Sequence, residues 1–183
     1  MTDGVVTISG LPGSGTSSVC ELLSKQTGWH RLDAGKIFRQ LAEADGISLS
    51  ELGRRAQKDP DVDRRLDASM IRATRTHSGG LILEGRLTGW MVTKAEVAAL
   101  KVWIHADISV RSQRVGCRDG QAIEQATKGV VERERCEIVR YKQHHSIDIA
   151  DLSIYDMIID SEFQTVEHIS RLILQRISDA QLG

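Results

Sequence analysis

The chain has 183 residues, of which 40% are apolar, and a formal charge of −1 at pH 7. This length and an apolar fraction near the globular average predict one domain that buries its own hydrophobic core. The balanced charge excludes a general attraction to nucleic acid or anionic membranes, so any site for a polyanion has to be a local cluster of cations. No run approaches the roughly 20 apolar residues of a membrane span, and no basic and apolar leader opens the sequence.

Three cysteines, Cys20, Cys117 and Cys136, are odd in number, far apart and without the spacing of metal ligands. Such cysteines are typical of reduced thiols in a cytoplasmic protein, where they act as small buried apolar side chains. We therefore expect a cytoplasmic monomer that binds small molecules and binds neither nucleic acid nor a membrane.

The first elements of the chain alternate between strand and helix. Residues 5–9 (VVTIS) form a short β-branched run bounded by glycine, which predicts a buried parallel strand. A glycine-rich turn follows, and apolar residues at helical spacing predict a helix over 16–25. Asp33, Ser48 and Pro60 each stand where a further helix is expected to begin, as N-caps or as the first helical residue.

Later strands are predicted at Leu81–Glu84, Leu100–His105 and Met157–Asp160, separated by helical stretches and followed by a last helix over 166–177. Strands that alternate with helices indicate a parallel sheet covered on both faces, in which ligands bind at the carboxyl ends of the strands. The fold class expected is therefore α/β.

The segment 111–142 is helical in pattern but rich in arginine: it contains Arg111, Arg114, Arg118, Arg133, Arg135 and Arg140. One interpretation is a solvated helical hairpin whose arginines pair with acidic residues at i, i+4 spacing. The other is that the arginines bind phosphate, because the guanidinium fork is always charged and binds phosphate in a bidentate manner. His144 and His145, just beyond this segment, are expected to be exposed to solvent.

A glycine-rich loop joins the first strand to the first helix and reads GLPGSGTSS. Gly10 and Gly15 have the spacing of a P-loop, in which backbone N–H groups and the helix dipole converge on phosphate. Thr16 replaces the lysine of such loops, and its hydroxyl donates only a neutral hydrogen bond. A tight turn without a ligand is the simplest alternative.

A nicotinamide dinucleotide fold is a second alternative, because Asp33 follows the glycines at about the distance of an acid that holds a ribose hydroxyl. Ser18, however, stands in place of the third glycine of that fingerprint, and such an enzyme does not need an arginine-rich segment. A phosphoryl-transfer enzyme does need one, because two nucleotides bring several negative charges together and cations have to surround the transferred group.

Five segments occur in order along the chain: ISGLPGSGTSS, LDAGKIFRQLA, LILEGRLTGWM, ERERCEIVRY and IDIADLSIYDMIIDS. Over almost the whole chain this pattern resembles the archaeal-type cytidylate kinases, which similarly carry Thr in place of the P-loop lysine. The resemblance implies a P-loop parallel β-sheet core flanked by helices, a helical monophosphate-binding region and an arginine-rich lid. The implied ranges are about 1–32, 79–110 and 152–183 for the core, 33–78 for the monophosphate-binding region and 111–151 for the lid.

The resemblance also implies a reaction and assigns site residues. MgATP would transfer its γ-phosphoryl group to CMP or dCMP, giving ADP and CDP or dCDP. The residues implied for the ATP phosphates are Gly10, Leu11, Pro12, Gly13, Ser14, Gly15, Thr16, Ser17 and Ser18, with Ser17 on the Mg²⁺ side. Those implied for the acceptor nucleotide are Asp33, Arg39, Gly85, Arg86, Glu137 and Arg140. The implied catalytic cations are Arg86, Arg133 and Arg140.

Two positions depart from the bacterial members of the family, since Ala34 and Leu87 stand where these carry a serine and an aspartate. Both positions lie near the implied acceptor nucleotide, so the groups that contact the cytosine base stay unassigned. Two alternatives keep the nucleotide site: a sensor without turnover and a kinase for another small phosphate acceptor. For a working enzyme, we hypothesise that Arg133 or Arg140 replaces the missing lysine when the lid closes.

Overall fold

The computed structural model describes residues 4–182, without the side chains of 49–50 and 180–182. Residues 1–3 and 183, which the expected core ranges include, lie outside the described residues. The elements in chain order are β1 (Val5–Gly10), α1 (Thr16–Thr27), β2 (His30–Asp33), α2 (Ala34–Ala44), α3 (Leu49–Lys58), α4 (Pro60–Thr76), β3 (Leu81–Glu84), α5 (Thr88–Lys94), β4 (Leu100–His105), α6 (Ile108–Asp119), α7 (Ile123–His145), β5 (Met157–Asp160) and α8 (Val166–Leu182).

Five parallel strands form one sheet in the order β2-β3-β1-β4-β5. The central strand is β1, in which Ile8 pairs with Glu84 of β3 and with Val102 of β4. The α/β fold class and the four predicted strands are confirmed. Strand β2 is not predicted by the sequence, because its residues HRLD lie at the sheet edge, stay partly exposed and lack an apolar run.

Helices cover both faces of the sheet. On one face α1 and α8 bury Leu23 and Ile173 in a cluster that includes side chains of β1 and β4. On the other face α4, α5 and α7 contribute Met70, Val92 and Tyr141. Each fully buried apolar side chain stabilises the fold by about 1.5–3 kcal/mol, so the strand ends that position the glycine-rich loop are firmly held.

The predicted helix starts have their expected caps. The carboxylate of Asp33 accepts hydrogen bonds from two backbone N–H groups in the first turn of α2, at 2.8 and 3.2 Å. Ser48 Oγ accepts one from the backbone N–H of Glu51 at 3.1 Å, and Pro60 is the first residue of α4. Caps of this kind stabilise a helix by about 0.5–2 kcal/mol, because they satisfy N–H groups that have no partner within the helix.

A small apolar cluster, distinct from the two that cover the sheet, lies among α2, α3 and α4. Its buried members are Ala42, Leu52, Ala56 and Val62. Met70, farther along α4, belongs instead to the core against the sheet. Within the range 33–78, side chains of α2, α3 and the start of α4 therefore pack on one another, whereas the later part of α4 packs on the sheet.

The arginine-rich segment forms the two packed helices α6 and α7. Of the six arginines in this segment, only Arg133 makes an ion pair at i, i+4 spacing among the described residues. Its partner is Glu137. Arg111 is only 4% exposed and contacts distant parts of the chain. The interpretation as a solvated hairpin is therefore wrong for Arg111, because it is buried and also donates to the backbone oxygens of Ala106 and Pro12, which lie outside the segment.

The cysteines differ in their exposure. Cys20 is buried as predicted, whereas Cys117 is exposed and Cys136 is half-buried. The prediction of buried thiols is therefore wrong for Cys117, which lies on α6 outside the core clusters. None of the helices in residues 4–182 has the length and apolar character needed to cross a bilayer.

Candidate active site

The loop after β1 has a backbone that requires glycine at two positions. A Cβ at Gly10 would lie 2.5 Å from the carbonyl oxygen of Ile104 and 2.5 Å from Ser14 Oγ. Gly13 has a φ of +86°, and a Cβ there would lie 2.5 Å from the carbonyl oxygen of Arg111. Glycine at both positions therefore permits a close approach of the loop backbone to the ends of β4 and α6.

The start of α1 offers donors to an anion. Its N-cap is Gly15, so no side chain caps the first N–H groups of the helix. Ser14 Oγ is buried and has no hydrogen-bond partner among the described residues. Uncapped N–H groups at the positive end of the helix dipole, beside an unpaired hydroxyl, are suited to bind phosphate. These features favour a phosphate loop over a tight turn without a ligand.

Arg111 of α6 contacts the loop from the protein interior. Its Nε donates to the carbonyl oxygen of Ala106 at 2.9 Å, and its Nη1 donates to the carbonyl oxygen of Pro12 at 3.2 Å. The same Nη1 donates to the carboxylate of Glu134 on α7. Arg111 thus joins the phosphate loop to both helices of the arginine-rich segment.

Arg114, one turn farther along α6, contacts the loop through a serine. Its guanidinium donates to the backbone oxygen of Ser161 at 2.7 Å and to Ser161 Oγ at 3.0 Å. Ser161 Oγ in turn donates to the carbonyl oxygen of Ser14 at 2.8 Å. Arg111 and Arg114 are expected in the lid from their place in the chain, and no local signal separates them from the other lid arginines, because their partners are distant in sequence.

Glu84 is a site residue that the sequence analysis does not single out. It ends β3, and its Oε1 accepts hydrogen bonds from Ser17 Oγ at 2.5 Å and from Thr16 Oγ1 at 3.4 Å. Its Oε2 accepts two from Arg31, at 2.8 Å from Nε and 2.5 Å from Nη2. The signal that could have found it is its place at the carboxyl end of a predicted parallel strand, where ligands bind.

Arg86, Glu137 and Arg133 form a charged cluster beside the loop. Arg86 Nη1 donates to the carbonyl oxygen of Gly10 at 2.9 Å, and Arg86 Nε donates to Glu137 Oε2 at 3.0 Å. Glu137 Oε1 accepts a hydrogen bond from Arg133 Nε at 2.9 Å. Burial opposes ionisation of Glu137, but the charges of the neighbouring arginines outweigh it and lower the pKa of this carboxyl. An ionised carboxylate therefore holds Arg133 near the loop.

Arg140 lies one helical turn beyond Glu137 and has different partners. Its Nε lies 3.4 Å from Asp63 Oδ2 of α4. Its guanidinium carbon lies 5.9 Å from the ring centroid of Phe38 and 5.0 Å from that of Tyr141, which are cation–π distances. Arg140 therefore joins α7 to α4 through Asp63 and to α2 through Phe38.

His144 and His145 are largely buried, so the prediction that they face solvent is wrong. Their side chains are 10% and 12% exposed, and His144 Nδ1 lies 3.8 Å from Asp63 Oδ2. His145 lies between two carboxylates, with Nε2 3.4 Å from Asp63 Oδ2 and Nδ1 3.5 Å from Asp67 Oδ2. The two acidic residues, one turn apart on α4, explain why this end of α7 docks there.

Asp67 gives a testable pH dependence of stability. Burial raises the pKa of Asp67 to about 6, and Asp63 adds to this, against the lowering by His145, Lys94 and Arg140. Because the folded protein holds this proton more tightly than the unfolded chain, stability falls as the pH rises from about 4 through 6. The neutral variant Asp67→Asn is therefore expected to gain about 1–3 kcal/mol of unfolding free energy at pH 8.

Urea unfolding of the parent and of Asp67→Asn at pH 4, 6 and 8 tests this expectation. The variant should show a flatter dependence on pH between 4 and 6. Asp61→Asn is the matched control on the same helix, because the Asp61 side chain is 66% exposed. Equal slopes for the parent and Asp67→Asn would contradict the prediction.

Asp33, Arg39 and Gly85 lie where β2 and β3 end. Arg39 Nη2 lies 3.6 Å from Asp33 Oδ2, and the Arg39 side chain is 58% exposed. A Cβ at Gly85 would lie 2.8 Å from the Cβ of Ala34, so glycine lets the start of α2 pack on the end of β3. The structure thus brings Asp33 and Arg39 together on one side and Arg86 and Glu137 together on the other.

A parallel sheet in this order, with a glycine loop after its central strand and arginines around that loop, defines a P-loop kinase fold. Shikimate kinase from Acinetobacter baumannii has this fold, with a TM-score of 0.63, 15% sequence identity and coverage of 100% of this chain and 97% of that chain. The family model described as the cytidylate kinase-like family matches residues 5–162.

Relatives that carry the name cytidylate kinase include two whose similarity spans most of both chains. The protein from Methanoregula boonei is 42% identical over 173 residues, covering 94% of this chain and 93% of that one. The protein from Methanococcoides burtonii is 46% identical over 157 residues, covering 86% of this chain and 87% of that one. This chain therefore belongs to the cytidylate kinase-like family, and the resemblance found in the sequence is confirmed.

Proposed function

We propose that this protein transfers the γ-phosphoryl group of ATP to CMP or dCMP, giving ADP and CDP or dCDP. The observation that carries the proposal is the chain of hydrogen bonds from Gly10 through Arg86 and Glu137 to Arg133. These hydrogen bonds hold two arginines beside the phosphate loop, where the first N–H groups of α1 have no side-chain cap. Phosphoryl transfer between two nucleotides requires such a cluster of cations. The names of the relatives support the same activity.

On the donor side, the ATP phosphates are proposed to bind the loop from Gly10 to Ser18. Mg²⁺ prefers oxygen ligands and keeps several of its waters, so one hydroxyl together with phosphate oxygens suits it. Ser17 Oγ donates its proton to Glu84, which leaves the oxygen lone pairs free to ligate a cation. The residues present therefore fit Mg²⁺ with Ser17 as its protein ligand, where the ion would neutralise charge on the phosphates.

On the acceptor side, the nucleotide is proposed to bind at the ends of β2 and β3. Its proposed contacts are Asp33, Arg39, Gly85, Arg86, Glu137 and Arg140. The Arg39 side chain is 58% exposed, and Asp33 keeps two backbone N–H donors without it, so Arg39 can exchange this partner for a phosphate at little cost.

The reaction then needs positioning and electrostatic stabilisation and no covalent intermediate. An acceptor phosphate is already ionised at neutral pH, so no general base is required. Arg86 and Arg133 are proposed to bind the charge that spreads over the transferred group. Lid closure would exclude water and so suppress hydrolysis of ATP.

We propose 33–78 as the monophosphate-binding region, 111–151 as the lid and the remaining ranges as the core. The moving part of the lid is proposed to begin beyond Arg114, because Arg111 and Arg114 fix the start of α6 to the loop.

A coupled assay of ADP release with CMP, dCMP, AMP, UMP and GMP tests the proposed function. CMP or dCMP should show a higher kcat/KM than the other three, because a site that hydrogen-bonds one base edge leaves polar groups unpaired with the wrong base. Equal rates with AMP and CMP would contradict cytidylate specificity and favour another acceptor. Tight binding of MgATP without turnover of any acceptor would favour the sensor, and a fluorescence response to NADH would favour the dinucleotide alternative.

Arg39→Ala is expected to raise the KM for CMP roughly 30-fold, which corresponds to the loss of about 2 kcal/mol from a hydrogen-bonded ion pair. The KM for ATP should change less than about threefold, because the donor nucleotide is proposed to bind the loop instead. Steady-state kinetics with each substrate varied in turn measures both effects.

Arg54→Ala is the matched control for Arg39→Ala, since Arg54 lies in the same region with a 72% exposed side chain that pairs with Glu51. It should leave both KM values unchanged. If Arg39→Ala raises the KM for ATP and the KM for CMP equally, or changes neither, Arg39 is a surface arginine that does not bind the acceptor phosphate.

A further inference from the structure

Asp63 is a buried carboxylate on α4 whose ion-pair partners, among the described residues, lie at the end of α7. Its side chain is 5% exposed, and its Oδ2 lies 3.4 Å from Arg140 Nε, 3.4 Å from His145 Nε2 and 3.8 Å from His144 Nδ1. Helix α4 belongs to the proposed monophosphate-binding region and α7 to the proposed lid. One oxygen atom thus joins two parts of the molecule that the acceptor nucleotide is proposed to contact.

The Asp63 carboxylate is fixed by its neighbours. His145, which contacts it, also lies with Nδ1 3.5 Å from Asp67 Oδ2. The backbone oxygen of His145 accepts a hydrogen bond from Lys94 Nζ of α5 at 2.5 Å. A buried carboxylate needs such compensating groups, and they restrict its movement. Asp63 is therefore a rigid point against which the side chain of Arg140 is oriented.

The contacts of Arg140 leave part of its guanidinium available to a ligand. Nε faces Asp63 without a hydrogen bond, and Nη2 donates to the phenol oxygen of Tyr141 at 3.3 Å. Within the part of the chain that the structure describes, Nη1 makes no hydrogen bond, although a guanidinium carries five N–H donors. Arg140 also lines a cleft of about 440 Å³ between α3 and α7, so a ligand can reach it although its side chain is only 15% exposed.

A carboxylate beside an arginine that binds phosphate can act in two ways. It can compete with phosphate for the guanidinium, or it can hold the guanidinium in the orientation that phosphate needs. Asp63 comes closest to Nε of Arg140 and leaves the terminal Nη1 free, which favours the second role. An arginine that its neighbours already hold in place loses little side-chain entropy when a ligand binds.

We propose that Asp63 is a positioning residue for the acceptor nucleotide, which acts through Arg140 and holds its guanidinium in place for the acceptor phosphate before the nucleotide binds. This inference rests on the proposed function, in which Arg140 contacts the acceptor, and deepens its acceptor side. The donor nucleotide is proposed to bind the loop from Gly10 to Ser18, whereas Asp63 and Arg140 have their contacts among α2, α4 and α7. Binding of ATP should therefore not depend on Asp63.

Calorimetric titration with CMP in the absence of ATP tests this role. Arg140→Met should bind CMP roughly 30-fold more weakly than the parent, because an ion-paired hydrogen bond to phosphate is lost. Asp63→Asn should bind CMP about five- to tenfold more weakly, because Arg140 keeps its charge but loses its fixed orientation. The double variant Asp63→Asn/Arg140→Met should bind CMP within about twofold of Arg140→Met, because Asp63 acts only through Arg140.

Steady-state kinetics separates this role from a general loss of structure. Asp63→Asn should raise the KM for CMP by about the same factor as the calorimetric Kd, and the KM for ATP should stay within about twofold of the parent. Asp61→Asn is the matched control on the same helix, because the Asp61 side chain is 66% exposed. It should bind CMP like the parent.

Two results would overturn the proposal. Unchanged or tighter binding of CMP by Asp63→Asn would show that Asp63 competes with the nucleotide for Arg140. A double variant that binds CMP much more weakly than Arg140→Met would show that Asp63 acts through the packing of α4.

His145→Gln serves as the second variant if Asp63→Asn does not fold, as thermal unfolding would show. Because His145 Nε2 contacts Asp63, its loss should loosen the carboxylate and weaken CMP binding about threefold. Equal CMP affinity of the parent and His145→Gln would then overturn the proposal. A parent that binds CMP but does not phosphorylate it would overturn the proposed function and leave the comparison of Asp63→Asn with Arg140→Met intact.

Discussion

Replacing Arg133 with alanine is expected to lower kcat by roughly 10²-fold or more, while ATP affinity without CMP stays within about threefold of the parent. Arg133 is 58% exposed, yet Glu137 links it to Arg86, which binds the carbonyl oxygen of Gly10. In the proposed closure of the lid, this exposed guanidinium would bind phosphate in place of the lysine absent at Thr16. Arg140 is a weaker candidate for this role, because it is held by Asp63 and by two aromatic rings.

Arg135→Ala is the matched control for Arg133→Ala, since Arg135 is an exposed arginine on the same helix. It should leave kcat within a few-fold of the parent. Thr16→Lys should tighten ATP binding in the absence of CMP and soften the defect of Arg133→Ala, because it restores a cation to the loop. If Arg133→Ala and Arg140→Ala each leave kcat within a few-fold of the parent, neither arginine replaces the lysine that is absent at Thr16.

Arg111→Met should cost about 3–5 kcal/mol of unfolding free energy, since removal of one partner leaves a largely buried Glu134 carboxylate uncompensated. The Glu134 side chain is 15% exposed. The carbonyl oxygens of Ala106 and Pro12 would also lose a donor. Urea unfolding measures this loss, and ATP affinity should fall as well, because the loop loses its contact with α6.

The matched control is Arg118→Met on the same helix, where the arginine side chain is 68% exposed and pairs with the adjacent Asp119. An exposed pair of this kind contributes about 0–1 kcal/mol, so the control should stay close to the parent. A loss below about 1 kcal/mol for Arg111→Met would mean that the loop keeps its conformation without this contact.

The sequence was sufficient to predict most of the backbone that positions the site, with the exception of β2. Short β-branched runs predicted four strands, and the limits of Leu81–Glu84 and Met157–Asp160 agree with the structure. Asp33, Ser48 and Pro60 begin helices as expected, because capping depends on neighbours within three residues. Local rules of this kind need no knowledge of tertiary contacts.

Long-range contacts of charged side chains could not be predicted in the same way. Arg111 and Arg133 look alike in sequence, yet one is buried against the loop and the other is exposed on α7. The attraction of His145 to Asp63 joins residues 82 positions apart. The contact of Arg31 with Glu84 depends on the pairing of β2 with β3, and β2 itself has no apolar pattern.

The small cluster of Ala42, Leu52, Ala56 and Val62 has a consequence for amide hydrogen exchange. It buries far less apolar surface than the core on either side of the sheet. Opening of α2 and α3 alone should therefore cost less free energy than global unfolding, and their amide protons should exchange earlier than those of β1. A ligand bound to this part of the chain adds RT ln(1 + [L]/Kd) to the free-energy cost of opening, so CMP should slow amide exchange in both α2 and α3.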